Sequence, residues 1–195
     1  MIFILKDNLY LCTIINLKEI NLVLHTCCAP CAAPVMESLT GNNIHPVLFY
    51  FNPNIFPKKE YESRRDEIVK YADKIGLRII VCKYDHEEWL DKINGLEDEP
   101  ERGKRCKACF LFRLSETAKY ADKNGFDAVA TTLGASRWKN LQQITESGIQ
   151  AVSHHQLTFL DRNWRKDGLS IRRNELLRQN GFYNQTYCGC EFSMR

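Results

Sequence analysis

The sequence predicts an α/β fold, a mostly parallel sheet with helices on both faces, and three observations carry that expectation. Short, nearly continuous apolar runs alternate with longer helical patterns from residue 20 to residue 133. Strands that are apolar on both sides belong to sheets covered on both faces, and parallel neighbours need the long crossovers that such helices provide. No internal repeat, low-complexity tract or linker-like stretch divides the chain, so residues 19–195 are expected to form a single domain.

The elements follow in order. Ile20 to His25 is an apolar run that ends in a cysteine-bearing loop, and Pro30 suits the first turn of a helix through Leu39,. Gly41-Asn42-Asn43 is a turn, and His45 to Tyr50 a second buried strand,. Pro57 to Lys74 reads as a charged helix closed by Gly76, and Leu77 to Tyr84 as a third strand,. A helix over Asp85 to Ile93, an acidic loop over Gly95 to Lys104 and a helix over Cys106 to Asn124, stopped by Gly125, lead to a fourth strand over Asp127 to Leu133,. After Ser136 the chain is expected to form a helical, basic C-terminal cap on the sheet.

The chain has 195 residues, 44% hydrophobic and 26% charged, enough to bury a core without disulfide staples,. Residues 1–18 are an N-terminal extension to which no function attaches: Lys6, Asp7 and Lys18 interrupt its apolar patches. They leave no run near the roughly 20 residues of a spanning helix, so no membrane partner is expected. The nine cysteines are odd in number and clustered, which points to a reducing cytoplasm with thiols kept for metal or redox chemistry. Residues 137–195 carry nine basic and five acidic side chains. Arg162, Arg165, Lys166, Arg172 and Arg173 there surround Trp164, the composition of a phosphate-contacting surface or of a solvated helix face,. Trp138 and Trp164 are both candidates to stack on an unpaired base.

The cysteines carry the most specific chemistry. Cys27 and Cys28 leave the first strand together, and neighbouring side chains in extended backbone diverge, which suits a polynuclear cluster better than one tetrahedral ion,. Cys106-x-x-Cys109 adds two thiolates at a spacing shared by iron-sulfur and zinc sites, so four thiolates from two loops would complete a 4Fe-4S cubane or a zinc site,. Cys31 is left over, either a ligand to a further metal or a structural thiol. Cys188-Gly189-Cys190 is too close to clamp a fold, and a strained bridge there would be easily reduced,. A redox-active pair on a flexible tail and two extra metal ligands are both open readings. Cys12 and Cys82 sit in apolar strand-like context and read as core thiols,.

Six motifs resemble one family. His25-Thr26-Cys27-Cys28-Ala29-Pro30-Cys31, Asn52 to Pro57, Gly95 to Glu101, Arg105-Cys106-Lys107-Ala108-Cys109-Phe110, Thr131-Thr132-Leu133 and Tyr187 to Ser193 look like the QueH-type epoxyqueuosine reductases, in order from about residue 22 to the C-terminus. The resemblance implies a Rossmann-like (HUP-like) sheet and an enzyme that reduces epoxyqueuosine to queuosine in the tRNA anticodon loop, the last step of queuosine synthesis. It also implies an external electron donor, a 4Fe-4S cluster on Cys27, Cys28, Cys106 and Cys109, and a redox-active disulfide between Cys188 and Cys190. The chain departs from the family at Ser136 to Asn140, where Arg137-Trp138 stands in place of the Pro-His of many members.

Opening an epoxide to an alkene takes two electrons and two protons and releases water. An iron centre, an additional iron included, would grip the oxygen, while Cys188 and Cys190 or the cluster supply electrons. Glu97, Asp98, Glu99, Glu101 and Tyr187 are candidate proton donors; His25, His154 and His155 read as structural,. Three rivals differ in class. An ATP pyrophosphatase acting on tRNA needs a glycine-rich phosphate loop, and the loop after the first strand contains no glycine,. A zinc-binding RNA module has no use for Cys-Gly-Cys, and a zinc- or iron-sulfur-binding tRNA-modifying protein could serve another reaction, such as thiolation.

Overall fold

The computed structural model describes residues 20–194. The N-terminal extension over residues 1–18, with Cys12, lies outside the described residues. Five strands, β1 (Leu22–His25), β2 (Val47–Tyr50), β3 (Ile79–Val81), β4 (Ala128–Thr131) and β5 (Thr158–Phe159), pair in parallel in the order β3-β2-β1-β4-β5. The chain steps outward from β1 to β3 and then returns to the other side of β1, so the strand order reverses between β1 and β4. In such sheets ligands bind outside the carboxyl ends of the strands at that reversal.

Side-chain alternation along the strands divides the core. Leu22 and Leu24 face α1 (Ala29–Thr40), α2 (Lys58–Lys74) and α6 (Leu169–Asn180), whereas Val23 faces α3 (His86–Ile93), α4 (Lys104–Lys123) and α5 (Leu141–Val152),. Both sides of β1 are therefore buried, as its unbroken apolar sequence requires,. The charged α2 still buries Tyr61, Arg64, Ile68, Tyr71 and Ala72, one stripe at helical spacing,. Asp85 caps α3 by accepting the Glu88 N–H at 3.2 Å,. No helix among the described residues is long and apolar enough to cross a membrane.

Two expectations are modified. Strand β3 is shorter than Leu77 to Tyr84, because it is an edge with a partner on one side only and Val81 already faces solvent,. The region after Ser136 contributes the fifth strand, which its two residues are too short to announce. Its helices cover the sheet on both faces: α5 joins α4 on one and α6 joins α1 on the other. Beyond β4 the longer sheet has two flanks to cover, and this region covers both.

Trp164 is only 4% exposed, and its Nε1–H donates to the Thr131 carbonyl at the end of β4 across 2.9 Å. It holds the β4 exit loop and is closed to a base, contrary to its expected stacking role. Trp164→Phe keeps the ring but leaves that buried carbonyl unpaired, so urea unfolding is expected to show a loss of about 1–3 kcal/mol. The affinity for RNA of the folded variant should be unchanged.

Candidate active site

The reversal between β1 and β4 is where the cysteines collect. Thr26 N–H donates to Phe49 O at 3.0 Å and Asn52 Nδ2 to Thr26 O at 2.9 Å, so the chain leaving β1 is fixed by the neighbouring strand's exit. Cys28, in extended backbone, is the N-cap of α1, and Cys31 lies in that helix's first turn. The Cys27 and Cys28 sulfurs are 3.9 Å apart, and all three thiols are buried. Cys106 lies in the first turn of α4 and joins this trio in a cluster closed by Phe110, Leu133 and Ile144. Cys109, one turn on, is buried with Cys190 in the core on the α4 side. Thiols from three distant places in sequence thus meet at one end of the sheet, and two helix N-termini point their partial positive charge among them.

Three buried cations complete the electrostatics. The hydrogen bond from Cys28 and the charges of Lys139, Arg113 and Arg64 hold the Cys27 thiol well below its ordinary range despite burial,. Cys28 is pushed the other way by sharing its proton with Cys27 and Cys31 and by burial. Burial raises Cys106 to about 11 and Cys190 to about 12. Burial works against the Lys139 ammonium, yet the thiols of Cys188, Cys27 and Cys31 keep its pKa above the usual lysine range. Arg113 bonds Asn52 and stands 3.9 Å from the Cys109 sulfur. Arg64 pairs with Glu60 at 2.7 Å.

His25 is structural, as expected. Its ring bridges Thr131 Oγ1 at 2.9 Å and Phe51 O at 3.2 Å, and burial with Arg113 nearby holds its pKa well below the ordinary value. The neutral ring donates from Nε2 to the carbonyl, which leaves Nδ1 to accept from the Thr131 hydroxyl. His155 faces Asp122, 3.0 Å away.

The C-terminal tail is anchored where a flexible, swinging segment was expected. Arg64 donates to the carbonyls of Cys188 and Tyr187 at 3.2 and 3.4 Å, Gly189 O accepts the Phe56 N–H at 2.8 Å, and the Tyr187 hydroxyl donates to Phe56 O. Gly189 has φ +129°, and a Cβ there would come within 3.1 Å of Arg64, so only glycine fits between the two cysteines,. Cys188 is half-buried and lines a cavity of about 660 Å³, whereas Cys190 sits behind it in the core.

Buried Cys27, Cys28, Cys31 and Lys139 form the cavity's floor, and Arg137, Trp138 and Asn184 are exposed around its rim. Two arginines of the basic cluster have partners in the chain: Arg165, which also lines the cavity, staples the carbonyls of Gly134, Ser136 and Lys139, and Arg172 pairs at the surface with Glu37 and Glu175. Arg137 and Arg173 line the cavity, and Trp138 is 51% exposed. The acidic loop's carboxylates, expected as proton donors, do not line it. That loop instead surrounds the Arg105 guanidinium with the carbonyls of Leu96, Glu97 and Glu99. Charge spacing alone gives no sign of Arg64 or Lys139, whereas Arg113 follows Cys109 by one helical turn, a readable signal,.

No three Cys, His, Asp or Glu side chains among the described residues converge closely enough to hold a single metal ion. The available donors at the floor are thiols, soft ligands for iron or zinc.

Comparison with known proteins gives one answer. The family model described as epoxyqueuosine reductase QueH matches residues 22–195. The chain is 45% identical over 176 residues to the epoxyqueuosine reductase QueH of Acinetobacter baylyi, covering 90% of this chain and 81% of that protein. It is 44% and 43% identical to the proteins of that name from Histophilus somni and Haemophilus influenzae, covering 90% of this chain and 72% of each relative. The match begins with β1, includes every thiol of the site, and shows that this chain belongs to the epoxyqueuosine reductase QueH family of oxidoreductases.

Proposed function

We propose that the chain reduces epoxyqueuosine to queuosine in the anticodon loop of tRNA, the last step of queuosine synthesis, as a cytoplasmic enzyme whose working domain spans residues 19–195. The observation that carries this reading is that the first and last cysteine motifs line one cavity with an aromatic, cationic rim, while Cys106 of the second motif packs against Cys27, Cys28 and Cys31. A polar RNA loop fits such a rim, and a buried thiol floor fits redox chemistry.

Cys27, Cys28, Cys106 and Cys109 would hold a 4Fe-4S cluster. All-thiol donors, their spread beyond the reach of one ion, two helix N-termini and flanking cations all suit it,. Bound there, it supplies one-electron transfer. Cys31 remains a soft donor for an additional iron. The reaction balances on the chain's own thiols: the Cys188–Cys190 dithiol, closing to a disulfide, gives up two electrons and two protons, and the epoxide becomes an alkene and water. An external donor then restores the dithiol. Lys139, a buried cation at the floor, stabilises negative charge on the leaving oxygen as its carbon–oxygen bonds break,. The Tyr187 hydroxyl is already committed to Phe56 O, and burial pushes its pKa up to about 12, both of which disfavour it as the acid.

Three measurements test the reading. Cys106→Ala is expected to lose both the visible absorption of the anaerobically purified protein and its turnover of epoxyqueuosine tRNA; intact brown protein would remove Cys106 from the ligand set. Cys188→Ser and Cys190→Ser should keep that absorption and lose multiple turnover, whereas loss of bound iron would make the pair ligands. In binding titrations over a salt series, Arg137→Ala with Arg173→Ala should flatten the log–log salt dependence by about 0.7 for each phosphate that is no longer neutralised. Trp138→Ala should weaken binding by about 1–3 kcal/mol with the salt slope preserved.

A further inference from the structure

Arg102 is one of three non-glycine residues among those described with positive φ, at +68°, the others being Asn43 and Asp167. Asparagine and aspartate tolerate that region through their short polar side chains, but an arginine gains nothing comparable from its own backbone. Its left-handed turn does local work on both sides. The Arg102 N–H donates to the Cys106 sulfur at 3.3 Å, while its guanidinium donates to Trp138 O at 3.0 Å and Arg137 O at 3.3 Å. Gln143 of α5 locks the turn from behind, donating to Arg102 O at 2.7 Å and Gly103 O at 3.3 Å. Gly103 cannot yield space, since a Cβ there would lie 2.6 Å from Glu99 Oε2 and 2.9 Å from Pro100 O. One residue therefore joins the Cys106 loop to the most exposed aromatic ring of the cavity rim.

We propose that Arg102 is a positioning residue that fixes the Trp138 stacking platform relative to the Cys106 thiol, so that a nucleotide engaged at the rim is presented to the floor in one geometry. This rests on the reading that Trp138 meets an RNA base. The Arg102 side chain touches neither the cavity floor nor the reacting groups, and it acts through the carbonyls of Arg137 and Trp138.

Arg102→Gly isolates that role, because glycine is comfortable at φ +68° and keeps the N–H to sulfur while losing the guanidinium,. The variant should therefore fold with an unchanged or higher thermal midpoint and keep the parent's visible absorption. Trp89 and Trp164 are 1% and 4% exposed, so fast fluorescence depolarisation and quenching by acrylamide report on Trp138. Both should increase in the variant. Binding of an anticodon stem-loop RNA should weaken about tenfold in the parent background and less than about twofold in a Trp138→Ala background, since a residue acting through another shows non-additive losses. Equal losses in the two backgrounds, no loss in either, or an unchanged Trp138 signal would overturn the proposal. Binding needs no turnover, so a failure to reduce epoxyqueuosine would count against the proposed reaction and leave this test intact.

Discussion

Crowding sulfur into a dry interior is the constraint on which the rest of this molecule depends. Thiols that ionise there are tolerable only beside positive charge, and every cation brought in must itself be satisfied. The structure meets both demands with the same residues. Arg64 pairs with Glu60 and turns its remaining donors to the tail carbonyls of Tyr187 and Cys188. Arg113 meets Asn52, whose amide in turn holds Thr26 O beside the first cysteines. Lys139 is kept charged by the thiols around it. The N-termini of α1 and α4 add partial charges that need no counterion. Removing one cation would leave sulfur uncompensated and also loosen a loop, which is why the Asn52 to Pro57 segment and the cysteines behave as one structural unit.

The sheet topology explains why such distant residues meet. Loops after β1 and β4 diverge at the strand-order reversal, so a crevice exists there before any cysteine is placed in it,. The first motif occupies the β1 exit, and Thr131 to Leu133 occupy the β4 exit. The second cysteine motif arrives on α4, which packs against Val23 and Val129. The last must return from the chain's end, and it does so by adhering to Ile55, Phe56 and Arg64 rather than by adding a strand.

Much of this was legible in the sequence where the signal is local. Unbroken apolar runs marked β1, β2 and β4, and the spacing of Cys106 and Cys109 placed both thiols near the start of one helix. Strand β5 is silent in the sequence because two residues have no periodicity. Composition does not give the partners of Arg165, Arg172 and Trp164, because it counts charge and rings but does not say which way they point. Arg165 finds backbone carbonyls, Arg172 finds the surface carboxylates of Glu37 and Glu175, and Trp164 finds the Thr131 carbonyl. The same holds for the acidic loop, since its useful atoms are backbone carbonyls around Arg105, which residue identity does not reveal.

The anchored tail changes what a redox pair at Cys188 and Cys190 can do. A swinging arm would meet substrate and reductant in different places, but this tail is tied through Arg64, Phe56 and the Phe192 ring under Arg105. Only Cys188 lines the cavity, and Cys190 lies behind it with a thiol that burial raises to about 12. Thiol–disulfide exchange requires access to the sulfur under attack and favours a thiolate as the attacking partner. Access singles out Cys188 as the sulfur that faces incoming molecules, and the raised thiol of Cys190 suits its protected partner. Under the proposed reaction the tRNA and the external reductant would therefore approach through the same opening and in turn, as in a ping-pong cycle. The chain itself would remain in place while the electrons pass.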